Sequence, residues 1–156
     1  MWHPRHGAPR AVIAAALAAL GGNGMSVTAA SSIRHTPPLG PSRRHYANAV
    51  AVVETGRGPA EVLQALLAIE AQFGRRRRGS AWQARVLDLD IVLWSGGFWA
   101  ADDGRGSLVV PHPEFRKRRF VLEPATTIAR RWRYPMTSLA VGHLTARLTK
   151  PRPTPT

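Results

Sequence analysis

The sequence predicts an α+β domain in which helices pack on one face of an antiparallel sheet. Three segments indicate this class: one is Ala-rich, one has the apolar spacing of a helix, and one alternates apolar and polar residues as a strand does. They are Pro9–Leu20, Pro59–Phe73 and Val86–Trp94. Helices that alternate with antiparallel strands along the chain are typical of a two-layer α+β domain.

The first third of the chain predicts one helix and two strands. Pro9 suits the first turn of a helix, and the glycines after Leu20 end it. A strand, a proline-containing extended loop and a second strand follow, because proline fixes φ and removes a hydrogen-bond donor. These three segments are Met25–Ile33, Thr36–Gly40 and Tyr46–Glu54.

The remainder predicts a second helix and one strong strand. Apolar residues recur at helical spacing after Pro59, and Gly74 caps that helix. The helix is followed by a charged loop (Arg75–Ser80), the alternating strand (Val86–Trp94) and a turn-rich insert (Ser95–Ser107). After the insert come a short apolar stretch (Leu108–Pro111), a basic run (Arg116–Arg119) and a second short apolar stretch (Phe120–Leu122).

Composition favours an anionic partner. The 156 residues include 22 basic and nine acidic ones, for a formal net charge of +13, and no cysteine. We expect a single domain over residues 1–149 and a disordered, proline-rich tail over 150–156. No apolar run of about 20 residues occurs, so the sequence predicts no transmembrane helix. Phosphorylated small molecules, nucleic acids and membrane surfaces all suit such a charge.

Two aspartates stand out on the predicted strand. Because side chains alternate along a strand, Asp88 and Asp90 share one face, and the apolar residues between and around them share the other. Two carboxylates about 7 Å apart repel each other. A divalent cation compensates that repulsion, and Mg²⁺ prefers such oxygen ligands. The alternative is a solvated strand edge with two surface aspartates.

Basic residues lie near this acidic pair in the sequence. Arg85 precedes it, Arg75–Arg78 form a run, and His112 stands between two prolines. Carboxylates that hold metal, together with guanidinium groups, are the parts that phosphoryl transfer needs. Taken alone, the arginine run is more typical of a solvated loop or a nucleic-acid patch than of a phosphoryl-transfer site.

Aromatic and amide side chains add a possible surface for a flat heterocycle. Trp82 and Phe120 offer ring faces. Tyr46 and Asn48 alternate with alanines and so point to one face, where the amide of Asn48 offers both a donor and an acceptor.

Together these residues resemble a known family. In chain order they are Ser31-Ser32-Ile33, Thr36-Pro37-Pro38-Leu39-Gly40, Tyr46-Ala47-Asn48-Ala49, Ile69-Glu70, Gly74-Arg75-Arg76-Arg77, Trp82, Arg85-Val86-Leu87-Asp88-Leu89-Asp90-Ile91, Val110-Pro111-His112 and Arg118-Arg119-Phe120-Val121-Leu122-Glu123-Pro124. The pattern, over about residues 10–129, resembles the 6-hydroxymethyl-7,8-dihydropterin pyrophosphokinases of folate biosynthesis.

The resemblance implies a ferredoxin-like two-layer sandwich. We expect the enzyme to be a monomer, and the lack of cysteine suits the cytoplasm. The resemblance further implies that ATP donates pyrophosphate to 6-hydroxymethyl-7,8-dihydropterin, that AMP is released, and that two Mg²⁺ ions take part. It implies neither a membrane nor a nucleic-acid partner. By position, Asp88 and Asp90 resemble the metal ligands, and Arg75 and Arg85 resemble the arginines that stabilise the transferred group.

The resemblance also implies two sets of binding residues. Those that match positions contacting ATP are Glu70, Arg75, Arg77, Trp82, Arg85, Ile91, His112 and Arg118. Those that match positions holding the pterin are Thr36, Pro37, Pro38, Leu39, Tyr46, Asn48, Trp82 and Phe120.

The sequence departs from the family pattern in several places. The family's first strand has no counterpart before Pro9, so either the natural protein carries a strand upstream of Met1 or the chain is a truncated, inactive homologue. Ala81, Gln83-Ala84, Ser107 and Pro113 replace residues typical of the family, which predicts weaker ATP binding. The alternatives are an inactive homologue that still binds pterin and a basic nucleic-acid-binding protein.

Overall fold

The computed structural model describes residues 7–36, 46–74, 86–102 and 107–150. Its helices and strands, in chain order, are α1 (Pro9–Gly21), β1 (Ser26–Ala30), β2 (Arg34–Thr36), β3 (Tyr46–Asn48), β4 (Ala51–Glu54), α2 (Pro59–Gln72), β5 (Trp99–Asp102), β6 (Ser107–Val110), a 3-10 turn (Phe115–Lys117), α3 (Arg119–Ala129) and α4 (Val141–Thr149). The predicted α+β class is confirmed.

The two predicted helices form close to their predicted bounds. Pro9 and Pro59 occupy the first positions of α1 and α2, where a missing N–H has no helical partner to lose. At the start of α2, the Gly58 N–H donates to Glu61 Oε2 at 2.9 Å. Beyond its end, Gly74 adopts φ +87°, the left-handed conformation that glycine accepts without a Cβ clash.

The second predicted strand, Tyr46–Glu54, is divided into β3 and β4, whereas the first, Met25–Ile33, contains β1 alone, and β2 begins just after its predicted end. Ser26–Ala30 pairs antiparallel with Ala51–Glu54, and Arg34–Thr36 pairs with Tyr46–Asn48 in a separate sheet. At the junction, the Ser31 N–H donates to the Val50 carbonyl (2.9 Å), and the Val50 N–H donates to Ser31 Oγ (3.0 Å). A side-chain hydroxyl therefore takes one of the hydrogen bonds that a continuous ladder would make.

The strand predicted over Val86–Trp94 is wrong as a paired strand. Burial does alternate from Leu87 to Ile91, with Asp88 and Asp90 exposed, as the pattern predicted. Within the described ranges, however, no strand pairs with this segment. Alternation determines which face a residue takes, but a strand also needs a neighbour for its backbone groups.

The carboxyl-terminal half contains structure that the sequence did not predict. Part of the Ser95–Ser107 insert is strand β5, which pairs antiparallel with β6. The short apolar stretch at Phe120–Leu122 lies within α3, which continues through a buried Pro124. Helix α4 was not predicted, and it packs against α3. Over all the described residues, the strands form three two-stranded antiparallel sheets rather than the single sheet expected.

Two groups of buried side chains form the core. The first core cluster joins α1, α2 and Leu87; its fully or largely buried members are Val12, Ala16, Leu20, Met25, Val62, Ala65, Leu66, Ile69, Phe73 and Leu87. The second core cluster joins the 3-10 turn, α3 and α4; its members are Phe115, Leu122, Ala125, Tyr134, Val141 and Leu144. Leu89 and Ile91 pack on the first cluster, whereas Val92 and Leu93 pack on the second. Residues 86–94 therefore connect the two clusters.

None of the described helices has both the length and the apolar character needed to cross a bilayer.

Candidate active site

The acidic pair lies on the outer side of the segment that connects the core clusters. Leu87 is buried beneath it, and Asp88 and Asp90 are exposed; the Asp90 side chain is 48% exposed. The apolar side chains keep this face outward, because turning the segment over would bury two carboxylates and expose the leucines.

Glu70 joins residues 86–94 to α2 on the buried side of that segment. Its side chain is in the last turn of that helix and is only 1% exposed. Oε1 accepts a hydrogen bond from the Leu89 N–H at 2.7 Å. Since Leu89 stands between Asp88 and Asp90, this bond fixes the backbone at the centre of the acidic pair.

His112 approaches the acidic pair from the loop after β6. Its N–H donates to the Val92 carbonyl (3.0 Å), which joins this loop to the acidic segment. Its Nδ1 accepts from the Glu114 N–H at 3.1 Å. A ring nitrogen that accepts carries no proton, so the neutral imidazole holds its proton on Nε2. Nε2 is 4.0 Å from Asp90 Oδ2.

Arg118 approaches the same oxygen from the start of α3. Its NH1 is 4.0 Å from Asp90 Oδ2, and its guanidinium carbon is 5.8 Å from the centre of the Phe120 ring. A cation within about 6 Å of an aromatic face is attracted to it. Arg118 therefore lies between Asp90 and Phe120, which the resemblance assigned to pterin binding.

These distances leave room for a ligand. At 4.0 Å, neither His112 nor Arg118 makes a direct hydrogen bond with Asp90. Partly exposed ion pairs of this kind add about 0–1 kcal/mol to stability, so folding alone gives little reason for the grouping. The three side chains bring a group that binds cations and two groups that bind anions close together.

The residues present fit a magnesium site that is completed by a ligand. No group of three or more His, Cys, Asp and Glu residues in the described ranges is arranged to hold a metal. Mg²⁺ is commonly bound by one or two carboxylates together with water and the phosphates of a substrate. The exposed pair of Asp88 and Asp90 meets that requirement. Arg118, beside Asp90, can donate hydrogen bonds to phosphate oxygens.

Three of the predicted pterin residues meet on the small sheet of β2 and β3. Thr36 and Tyr46 are cross-strand partners, and the Asn48 Nδ2 donates to Thr36 Oγ1 at 2.7 Å. Asn48 therefore shares the face of Thr36. Tyr46 is 39% exposed, so a ligand can cover its side chain.

Helix α3 lies beside this sheet. Glu123 Oε2 is 3.7 Å from Arg34 NH1 on β2, and the other oxygen of the same carboxylate accepts from Arg119 at 2.6 Å. Phe120 belongs to the same helix, one turn before Glu123. The aromatic side chain is thus carried on an element that contacts both the β2–β3 sheet and, through Arg118, the acidic pair.

Other predicted residues have different placements. Ile91 is partly buried on the first core cluster. The following lie outside the described residues: Arg75, Arg77, Trp82, Arg85, Pro37, Pro38 and Leu39. The residues at 81, 83 and 84, where the chain departs from the family pattern, are also outside, whereas Pro113 is exposed beside His112. The roles assigned to all of these side chains stay predictions.

Sequence reasoning did not identify two contacts of the site. One is the Glu114 N–H that sets the proton position on His112, and the other is the Leu89 N–H that Glu70 accepts. Both involve backbone amides, which every residue carries, so no residue type signals them. The two-residue spacing of His112 and Glu114 permits the first contact but does not predict it.

A hollow of about 670 Å³ lies elsewhere, between the end of α1 and the end of β4. It is lined by glycines, Met25, Ser26, Glu54 and Thr55, and includes none of the predicted site residues. No aromatic residue is among its described lining residues, so the acidic pair and its neighbours are the better candidate site.

An α+β domain with two carboxylates, an imidazole, a guanidinium and partly exposed aromatic and amide groups has the kinds of side chain that phosphate-handling proteins use. Comparison with protein families identifies the family. Residues 5–130 match the model of 7,8-dihydro-6-hydroxymethylpterin-pyrophosphokinase. The chain belongs to this family.

Similar proteins carry a matching name. The chain is 38% identical over 109 residues to 2-amino-4-hydroxy-6-hydroxymethyldihydropteridine pyrophosphokinase of Synechocystis, covering 70% of this chain and 53% of that protein. Proteins of the same name from Pseudomonas aeruginosa (39% over 110 residues) and Methylorubrum extorquens (37% over 107 residues) are each matched over 65% of their length, and over 70% and 68% of this chain. The chain thus spans between half and two thirds of these relatives.

Proposed function

We propose that this protein transfers pyrophosphate from ATP to 6-hydroxymethyl-7,8-dihydropterin and releases AMP. The observation that carries the proposal is Asp90 Oδ2, which lies 4.0 Å from both His112 Nε2 and Arg118 NH1 in a chain of this family. The names of the relatives supply the substrate class.

The proposed reaction is a displacement at the β-phosphorus of ATP. The oxygen of the pterin hydroxymethyl group forms a bond to that phosphorus, and the bond from the β-phosphorus to the oxygen it shares with the α-phosphate breaks. AMP leaves with that oxygen, and the hydroxyl proton passes to solvent. Positioning and electrostatic stabilisation supply most of the catalysis in such transfers.

We assign the acidic pair to metal binding. Asp88 and Asp90 would hold Mg²⁺, and we propose two ions, as the family resemblance implies. Bound Mg²⁺ neutralises phosphate charge. Arg118 and the Nε2–H of His112 are donors that can bind phosphate oxygens next to Asp90. Arg75 and Arg85 are proposed to stabilise the transferred group, and Arg77, Trp82 and Ile91 to contact ATP.

We assign the β2–β3 sheet and α3 to the pterin. The amide of Asn48, held by Thr36, can donate to and accept from the edge of a heterocycle. Tyr46 and Phe120 can contact the ring faces. Pro37, Pro38 and Leu39 are proposed to complete this pocket, with Trp82. Monomeric state and a cytoplasmic location are part of the same proposal.

The test is AMP release from ATP and Mg²⁺, measured with and without hydroxymethyl-dihydropterin. We expect AMP release that depends on pterin, and its loss in Asp88→Asn and Asp90→Asn. Glu54→Gln, which removes an exposed carboxylate at the end of β4, is the matched control and should behave as the unaltered protein.

Two other outcomes would contradict the proposal. Full activity in Asp88→Asn and Asp90→Asn would exclude the assigned metal ligands. Pterin binding without AMP release, measured by calorimetry on the same protein, would instead support an inactive homologue that retains the pterin site.

A further inference from the structure

We infer that Glu70 is a positioning residue that holds Asp88 and Asp90 in place for metal binding, through the backbone N–H of Leu89. The inference rests on the proposed function for its catalytic consequence. It differs from the ATP contact that the family resemblance implies for Glu70, because the structure places this carboxylate beneath the segment.

The first observation is the burial of the carboxylate. Glutamate is almost never fully buried unless it has a specific interaction. Glu70 is 1% exposed, and its helix places the adjacent Ile69, at 0%, in the first core cluster. A side chain buried this deeply is held in one orientation, which suits a residue that fixes its neighbours.

The second observation is the bond itself. Glu70 Oε1 accepts from the Leu89 N–H at 2.7 Å, a short distance for a backbone donor. Leu89 is bonded directly to both Asp88 and Asp90. Any rotation or shift of this peptide moves both carboxylates relative to each other, so one hydrogen bond controls the geometry of the pair.

The third observation is the lack of a ladder. In a paired strand, neighbouring strands would fix the backbone of residues 86–94, but no strand of the described ranges pairs with them. Among the described residues, two hydrogen bonds that attach the middle of the segment are the Leu89 N–H to Glu70 and the His112 N–H to the Val92 carbonyl. At the acidic pair, the Glu70 side chain therefore accepts a backbone hydrogen bond of the kind that a neighbouring strand would accept in a sheet.

Outer partners of metal ligands have measurable effects. Removing a group that orients a ligand commonly lowers metal affinity or activity by about 10–100-fold. Loss of the acceptor at Glu70 should therefore weaken binding of divalent metal more than binding of the pterin, whose assigned residues lie on other elements.

Three variants separate the acceptor from charge and from general stability. Glu70→Gln keeps an oxygen that can accept from Leu89. Glu70→Leu fills similar volume without an acceptor. Glu61→Leu is the matched control, because Glu61 lies on the same helix and also accepts a backbone N–H, from Gly58, far from the acidic pair in sequence.

The activity readout is the Mg²⁺ concentration at half-maximal AMP release, compared with the KM for pterin. We expect Glu70→Leu to raise that Mg²⁺ concentration by about tenfold or more, with pterin KM within about twofold. We expect less than about threefold for Glu70→Gln and no change for Glu61→Leu.

Two NMR readouts do not need turnover. We expect amide hydrogen exchange at Leu89 to be faster by about tenfold or more in Glu70→Leu, and near the unaltered rate in Glu70→Gln. We expect paramagnetic broadening of the amide signals of residues 88–90 to require about tenfold more Mn²⁺ in Glu70→Leu. If AMP release fails in the unaltered protein, the proposed function is wrong, and these two measurements still test the positioning role.

The inference is overturned by either of two results. Broadening of residues 88–90 in Glu70→Leu at the Mn²⁺ concentration used for the unaltered protein would show that the bond does not control the pair. An equal loss in Glu70→Gln and Glu70→Leu would show that charge, not the acceptor, is what matters. Should Glu70→Leu not fold, a tenfold loss in Glu70→Gln alone would give the second result.

Discussion

At the scale of single residues, His112 shows how a backbone amide determines the chemistry of a side chain. The Glu114 N–H occupies Nδ1, which leaves Nε2 as the donor beside Asp90. Glutamine places an amide nitrogen near the position of Nε2, whereas asparagine places one near Nδ1. We expect His112→Gln to retain more activity than His112→Asn.

A hydrogen bond to a charged phosphate is worth roughly 1.5–3 kcal/mol, so kcat/KM of His112→Asn should fall about tenfold or more below that of His112→Gln. Steady-state AMP release measures the difference. Equal activity of the two variants would mean that Nε2 donates to nothing that matters in the reaction.

Asn48 gives a second prediction at this scale, for the pterin half of the site. Asn48→Ala removes both the bond to Thr36 and the donor and acceptor proposed to bind the heterocycle. We expect pterin KM to rise about tenfold with ATP KM unchanged. Thr28→Val is the control, since its hydroxyl contacts Val52 on the neighbouring sheet. A rise in both KM values would mean that the substitution disturbs the fold rather than the pocket.

At the scale of elements, local signals explain which parts of the fold were predictable. Helices α1 and α2 begin at proline, have glycine at or just beyond their ends, and carry apolar side chains at helical spacing, so their own sequences specify them. Helix α3 contains Pro124, which argues against a helix because it lacks an N–H. Packing of Leu122 and its neighbours into the second core cluster outweighs that penalty, and packing is not visible in a local pattern.

The acidic segment shows the same limit in another way. The alternation of Leu87, Asp88 and Leu89 predicted which side chains face outward, and this is what the structure has. It did not predict what binds the backbone, which is the side chain of Glu70 and the loop of His112. Which side chains face outward depends on the local sequence, whereas the hydrogen-bond partners of the backbone come from residues that are distant in the chain.

Leu122 permits a prediction about the pairing of α3 and α4. Its side chain is 0% exposed in the second core cluster. Leu122→Ala should lower the free energy of unfolding by about 2–5 kcal/mol, because a buried leucine leaves a cavity. Leu148→Ala, at the partly buried rim of the same cluster, should lower it by about 1.5 kcal/mol or less. Urea unfolding measures both, and equal losses would contradict the assigned core.

At the scale of the whole molecule, the candidate site lies where the two core clusters meet. The segment that carries Asp88 and Asp90 packs on the first cluster at Leu89 and on the second at Val92 and Leu93. Arg118 and Phe120 come from α3, and Glu70 comes from α2. Both clusters must therefore be folded for the acidic pair and its basic neighbours to be in place together.

The net charge of +13 leads to the last prediction, which separates the enzyme from the nucleic-acid alternative. Such a charge attracts DNA without requiring a DNA-binding site, and that attraction weakens by about 10³–10⁵-fold between 50 and 200 mM salt when 6–10 phosphates are contacted. We expect duplex binding to follow this dependence, and AMP release at 200 mM salt to be unaffected by added duplex. Fluorescence anisotropy and the AMP assay measure the two quantities on one sample. Tight duplex binding that persists at 200 mM salt and competes with ATP would instead favour nucleic acid as the physiological ligand, because non-specific attraction cannot survive that screening.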